Sequence, residues 1–246
     1  SFRFSKQRSA QPGELADRAR AALALCRKGE ILPEDHKSEL LDFLKQILYF
    51  EKYDPAMRLS TLFWLQEEKW IPLDEFSELL AKLLRQELRL YDMDAFTGQR
   101  VINALVKIPL DDHVIQILSG GLCSAHEKII QASLTWATRK SDPRILGQFL
   151  LTALSENLPP ALAEEKYPTL RARLEACLAL VQSLPDDIPE WPKVFLAFQG
   201  CSKSLSSVSN MDLIQFILPA LIDLASELNQ RIQTVSPEKP TIILES

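Results

Sequence analysis

The amino-acid sequence predicts an all-α chain of about five stacked antiparallel helix pairs followed by a long carboxy-terminal helix, and three observations lead there. Only 7 of the 246 residues are glycine, while leucine recurs in runs such as Leu79-Leu80-x-x-Leu83-Leu84; that balance suits helices better than glycine-punctuated sheets. Apolar residues follow helical spacing in about eleven segments, joined by breaks of the length usual between packed helices. An Ile/Leu-Pro start then recurs with a period of about 40 residues.

The first pair is expected over 14–50. Its second helix begins after Pro33 and sets Leu40, Leu41, Leu44, Ile47 and Leu48 on one buried stripe, with Glu39, Asp42 and Lys45 on the opposite, solvated face. The second pair, 55–91, opens on Asp54-Pro55, an aspartate cap followed by proline at the first helical position. Its second helix repeats the earlier start: Leu32-Pro33-Glu34-Asp35, Ser38-Glu39-Leu40-Leu41 and Leu44 align with Ile71-Pro72-Leu73-Asp74, Ser77-Glu78-Leu79-Leu80 and Leu83, 39 residues later (32 to 71). The third pair, 94–121, contains the next copy, Ile108-Pro109-Leu110-Asp111, after a further 37 residues (71 to 108), and ends on Gly120-Gly121, an ordinary place for glycine. The fourth, 124–157, uses Asp142-Pro143; the fifth, 168–203, holds Ile188-Pro189, 80 residues after the third copy (108 to 188).

Proline suits these starts because the amide it lacks has no partner in the first helical turn, and its fixed φ is already helical. The apolar residue before it packs back on the helix as a staple. The last helix, 207–233, contains Pro219, which is expected to kink it or to split it near residue 218. Of the four tryptophans, Trp64 and Trp136 are assigned to the core, while Trp70 and Trp191, beside Pro72 and Pro189, are expected to wedge between successive pairs. The domain plan is therefore an extended basic segment over 1–12, a helical-repeat domain over 13–235 and an extended tail over 236–246.

Period, helix pairing and proline placement together resemble the HEAT and armadillo solenoids over nearly the whole chain. HEAT repeats often carry an Asp and an Arg at fixed places in the turn and second helix. Asp35 and Asp74 match the aspartate, but no matching Arg recurs, which leaves the subtype open and a non-repetitive helical bundle as the alternative.

Composition narrows the function classes. The net charge is −5, which by itself gives no reason to expect the broad basic surface that nucleic-acid backbones require. The distribution is uneven: residues 1–28 hold seven basic against two acidic side chains, +5, which leaves −10 on the remainder. Cys26, Cys123, Cys177 and Cys201 form no C-x-x-C pair and read as small buried hydrophobes in a reducing compartment, cytoplasmic or nuclear. No apolar run reaches the roughly 18 residues of a membrane span, and no charged-then-apolar signal opens the chain.

No residue pattern calls for a catalytic site, a metal or a cofactor. His36 and His113 stand beside Asp35 and Asp112 at helix starts, where a capping or surface role is the simpler account, and His126 has no supporting motif. Adjacent acids such as Asp111-Asp112, Glu164-Glu165 and Asp186-Asp187 point in different directions on a helix and suit helix amino ends.

The partner-binding candidates are Lys82, Arg85 and Arg89, assigned to the second helix of the second pair, and Arg139 with Lys140 after Trp136. Arg171 and Arg173 are further candidates for phosphate contact. Phe2, Arg3 and Phe4 alternate aromatic and basic residues in the extended opening segment; Ile242, Ile243 and Leu244 form an apolar trio after Pro237 and Pro240. The function expected is a non-enzymatic scaffold or adaptor module of a larger complex, whose partner is another protein, a basic or amphipathic helical segment that an acidic concave face would favour. The alternative is a nucleic-acid-associated helical repeat of the DNA-repair or RNA-processing type. An enzyme with a lone catalytic carboxylate on such a repeat is the third class.

Overall fold

The computed structural model describes residues 34–49, 54–86, 89–108, 111–155, 167–206 and 211–235. Among these, ten α-helices and two 3-10 turns make up all the regular structure, with no strand. No described helix is long and apolar enough to cross a membrane. The chain divides into two compact units, Ser1–Leu88 and Arg89–Ser246.

In the first unit, α1 (Glu34–Tyr49), α2 (Pro55–Glu67) and α3 (Leu73–Gln86) pack in sequence, α2 against both neighbours. The predicted stripe of α1 is buried at Leu40, Leu44, Ile47 and Leu48. Asp54 caps α2, accepting from the Ala56 amide at 3.4 Å with Pro55 in the first turn. The end of α2 is set by Lys69, which takes a left-handed φ of 58°. The Trp70 amide then donates to the Leu65 carbonyl at 2.8 Å and that of Lys69 to Gln66 at 3.1 Å. This is the double bond of a Schellman end, made here without the usual glycine. The turn folds Trp70 onto Trp64 edge to face, centroids 4.8 Å apart.

The proline starts differ in register from the simple expectation. Pro72 is the cap rather than the first helical residue: its carbonyl accepts from Phe76 at 3.0 Å, and α3 begins at Leu73. Ile71 before it is buried, as a staple should be. Pro109 lies outside the described residues, and the helix that follows is capped by Asp111, whose carboxylate accepts from Val114 at 2.7 Å. At the fifth pair the Glu190 carbonyl takes the first helical bond, so Pro189 stands in the preceding turn.

The second unit contains a 3-10 turn (Leu90–Asp92), α4 (Ala95–Leu105), α5 (Asp112–Gly120), a second 3-10 turn (Gly121–Cys123), α6 (Glu127–Lys140), α7 (Pro143–Ser155), α8 (Tyr167–Ser183), α9 (Trp191–Ser206) and α10 (Met211–Val235). Its helices pack two apart along the chain. One row runs α4, α6, α8, α10; the other runs α5, α7, α9; α7 bridges the rows by touching α6 and α8. The core between them holds Leu118, Ile129, Ile130, Phe149, Leu180 and Phe198, all shut off from solvent. Trp191 is fully buried at the start of α9, stacked on Phe195 and donating its indole N–H to the Pro185 carbonyl at 3.1 Å.

Pro219 does not split the last helix, which runs unbroken from Met211 to Val235. The reason is placement: Pro219 and Gln215, whose carbonyl loses its amide partner four residues on, are both exposed, so water can take the freed acceptor. Gly121 is not a left-handed cap either, since its φ is −63°. It is there for space, because a Cβ at this position would overlap Ser133 Oγ and stand 2.9 Å from Leu90 Cδ2.

Candidate functional site

On α6 the buried residues Ile129, Ile130, Ser133, Trp136 and Ala137 face the core, and Lys128, Gln131, Thr135 and Arg139 follow at helical spacing on the exposed side. On α4, Gln99 and Asn103, continued by Val106 at its carboxy cap, make the matching exposed stripe. Between these two stripes lies an open groove of about 620 Å3. Its apolar floor is formed by Ile102, Val106, Ala132 and Trp136. Gly98 sets how closely its two walls approach, because a Cβ there would overlap the Ile129 side chain of α6.

Trp136 is held from beneath by a near-parallel stack on Phe149 of α7, centroids 5.7 Å apart at 16°. Lys140 Nζ stands 5.7 Å from the centroid of the same ring, a cation against the indole π-system. The groove's charged lining is Lys128, Arg139 and Lys140 against Glu127, three cations to one carboxylate. Arg139 and Lys128 make no ion pair among the described residues. The lining is therefore an apolar strip with cations along its α6 wall and neutral amides on its α4 wall, which is complementary to an amphipathic surface bearing acids.

Of the sequence candidates, Arg139 and Lys140 are brought together here, joined by Lys128, which sequence reasoning passed over. The signal was present: 128 and 139 are eleven residues apart, about three turns, so they share a helix face. Lys82 is exposed on α3 in the first unit. The Arg85 side chain lies outside the described residues, as do Phe2, Arg3, Phe4, Ile242, Ile243 and Leu244. Arg89 is not on α3, as expected, but beyond its end, in extended backbone (φ −117°, ψ 134°) that opens the second unit.

Two other arginines do structural work. Arg173 is buried and donates Nε–H to the Ala153 carbonyl at 2.7 Å, in the last turn of α7, so it is withheld from any phosphate. Arg171 pairs with Glu175 at 2.8 Å and lies over the Phe216 ring. The device used by Arg173 recurs: buried Arg58 donates to the Leu48 carbonyl at 3.0 Å, and Arg231 to that of Leu184 at 3.1 Å. Each arginine thus satisfies a carbonyl at the end of a preceding helix, where such groups lack intrahelical partners.

The remaining titratable candidates do not gather into a site. His126 occupies the cap position of α6 without a side-chain cap bond. His113 sits half-buried in the first turn of α5 with its Nε2 unpartnered, and the His36 side chain lies outside the described residues. Asp186 accepts from Arg231 rather than capping a helix, and Glu164-Glu165 lie outside the described residues. Burial pushes the thiol of Cys177 up and that of Cys201 up to about 11, which keeps both protonated and unreactive.

No family model, no curated protein and no solved structure matches this chain.

Proposed function

We propose that this chain is a non-enzymatic protein-interaction module of the HEAT/armadillo-like helical-repeat class, one part of a larger assembly, that engages another protein through the groove between α4 and α6. The two-rowed packing of the second unit, each helix lying against the one two places along, supports a stacked-pair arrangement, because repeat units present their exposed faces side by side in this way. The observation that carries the reading is the groove itself, an apolar floor between the cation-bearing wall of α6 and the neutral polar wall of α4. Such a surface anchors a partner by apolar contact and orients it by charge.

Free thiols at Cys123, Cys177 and Cys201 suit a reducing compartment, cytoplasm or nucleus, as the place of action. The test is affinity capture with this chain and with a Val106→Asp variant, washed in parallel at low and high salt. Val106 is half-exposed on the groove floor, so aspartate there spoils apolar contact without opening the core. We expect a discrete protein held by the parent chain at high salt and lost from the variant. The rival reading, a nucleic-acid-associated module, is favoured by the three groove cations. It requires retention of nucleic acid only at low salt, since phosphate contacts weaken steeply as counterions are added.

A further inference from the structure

The two ends of the groove differ in charge. At the amino end of α6, Glu127 and Lys128 are adjacent and offset one another. At the carboxy end, Arg139 and Lys140 stand together in the last turn, both exposed and with no acid between them in the lining. The electrostatic field along the floor is therefore directional. A carboxylate is best tolerated in the first turn of a helix, where it also meets the positive end of the backbone dipole. A bound helix with acids in its first turn satisfies both conditions only if that turn lies over Arg139 and Lys140.

We propose that the groove takes an amphipathic helix of a protein partner, with acidic residues in its first turn, laid antiparallel to α6. The inference rests on the protein-interaction reading and specifies its ligand. From Lys128 to Arg139 is about 16 Å along α6, so the partner helix contributes about three turns, with apolar residues at i, i+3 or i+4, and i+7 meeting Val106 and Ala132 above the buried Ile102 and Trp136. Antiparallel alignment also sets the two helix dipoles head to tail. Nucleic acid fits the lining less well: the one aromatic ring of the floor, Trp136, is only 5% exposed and offers no platform for base stacking, and a carboxylate stands among three cations.

The test is selection from a displayed library of amphipathic helices of about 16 residues, with a constant leucine stripe and with Asp, Lys or Gln varied in the first and last turns. The full chain is the bait, in parallel with an Arg139→Gln/Lys140→Gln double variant. Both positions are exposed, so the helical content of the variant, checked by circular dichroism, is expected to be unchanged. We expect acids in the first turn to be enriched about tenfold on the parent chain and not on the double variant, with the leucine stripe required by both. Enrichment of last-turn acids, or no charge preference among retained helices, overturns the directional inference while leaving the interaction reading standing. Retention of no striped helix by either bait overturns the interaction reading itself. Binding of a short DNA duplex that disappears in the double variant, without helix retention, assigns the groove to nucleic acid instead.

Discussion

Replacing Gly121 with alanine tests whether this glycine is kept for space rather than for backbone freedom. Its φ and ψ, −63° and −23°, are helical, so alanine should be favoured locally by about 0.5 to 1 kcal/mol. Against that, the new Cβ overlaps Ser133 Oγ of α6 and approaches Leu90 Cδ2 to 2.9 Å. Leu90 and Ser133 are both buried, and forcing atoms into a packed interior costs about 1 to 3 kcal/mol. The balance is a net loss of about 1 to 2 kcal/mol. Ser133 sharpens the test because its hydroxyl is buried without a hydrogen-bond partner. Ser133→Ala alone should therefore be neutral or stabilising by about 1 kcal/mol. In that background Gly121→Ala should cost about 1 kcal/mol less, since the worst overlap is gone and only the Ser133 Cβ, at 3.2 Å, and the end of the flexible Leu90 side chain remain. Urea unfolding followed by the fluorescence of Trp136 and Trp191, in a chain carrying Trp64→Phe and Trp70→Phe, reports the second unit alone. If Gly121→Ala is neutral or stabilising in both backgrounds, close packing is not why glycine stands there.

Further outcomes follow from particular contacts. Arg173→Met should lower the stability of the second unit by about 1.5 to 3 kcal/mol, because it removes a buried charged donor from the Ala153 carbonyl. Arg171→Met, two residues away, should cost at most about 1 kcal/mol, the worth of an exposed i,i+4 pair and of its contact over the Phe216 ring, and equilibrium unfolding separates the two. Lys69→Gly should stabilise the first unit by about 0.5 to 1 kcal/mol by relieving a left-handed φ of 58°, read as a raised midpoint from Trp64 and Trp70. Asp94 caps α4 with bonds of 3.0 Å from both Phe96 and Thr97, and the bonds from Thr97 above all hold its carboxyl below the ordinary value. A depressed folded-state pKa contributes stability above the unfolded value and loses it as pH falls through the folded one. The difference between the parent and Asp94→Ala, about 1 kcal/mol at neutral pH, should thus shrink as pH drops below about 4.

Much of the architecture was legible because helical periodicity is written in the apolar residues. Leu40, Leu44, Ile47 and Leu48 are buried where their spacing put them, and Asp54, Asp111 and Asp142 cap the helices they precede. The register of the proline starts was not legible. Proline is compatible with the cap, the first turn and the residue before the cap, and the same Ile-Pro pair takes different places at Pro72 and Pro189. Arg89 was misplaced because Arg85 and Arg89 continue the apparent four-residue rhythm of α3 beyond the point where the helix ends.

The carbonyl-capping arginines were missed because charge was read as exposure. Yet Arg173 lies three residues after Leu170 and four before Cys177, on the buried stripe, and Arg58 lies four before Leu62 in the same manner. A cation in register with an apolar stripe marks a buried donor as readily as a binding site. The groove was half legible: Arg139 and Lys140 adjoin Trp136 in sequence, whereas the opposite wall on α4 depends on Gly98 meeting Ile129, a contact between distant residues that no local pattern announces.

The central claim, that a protein partner occupies the α4–α6 groove, is tested most directly by photo-crosslinking. A photoreactive phenylalanine analogue is placed at Gln131 within the groove and, in a separate chain, at Ser226 on the exposed side of α10, and each is irradiated in cell extract. The account expects a discrete protein adduct from position 131, absent from position 226 and abolished when Val106→Asp is present in the same chain. Nucleic-acid adducts at position 131, or protein adducts that survive Val106→Asp, would contradict it.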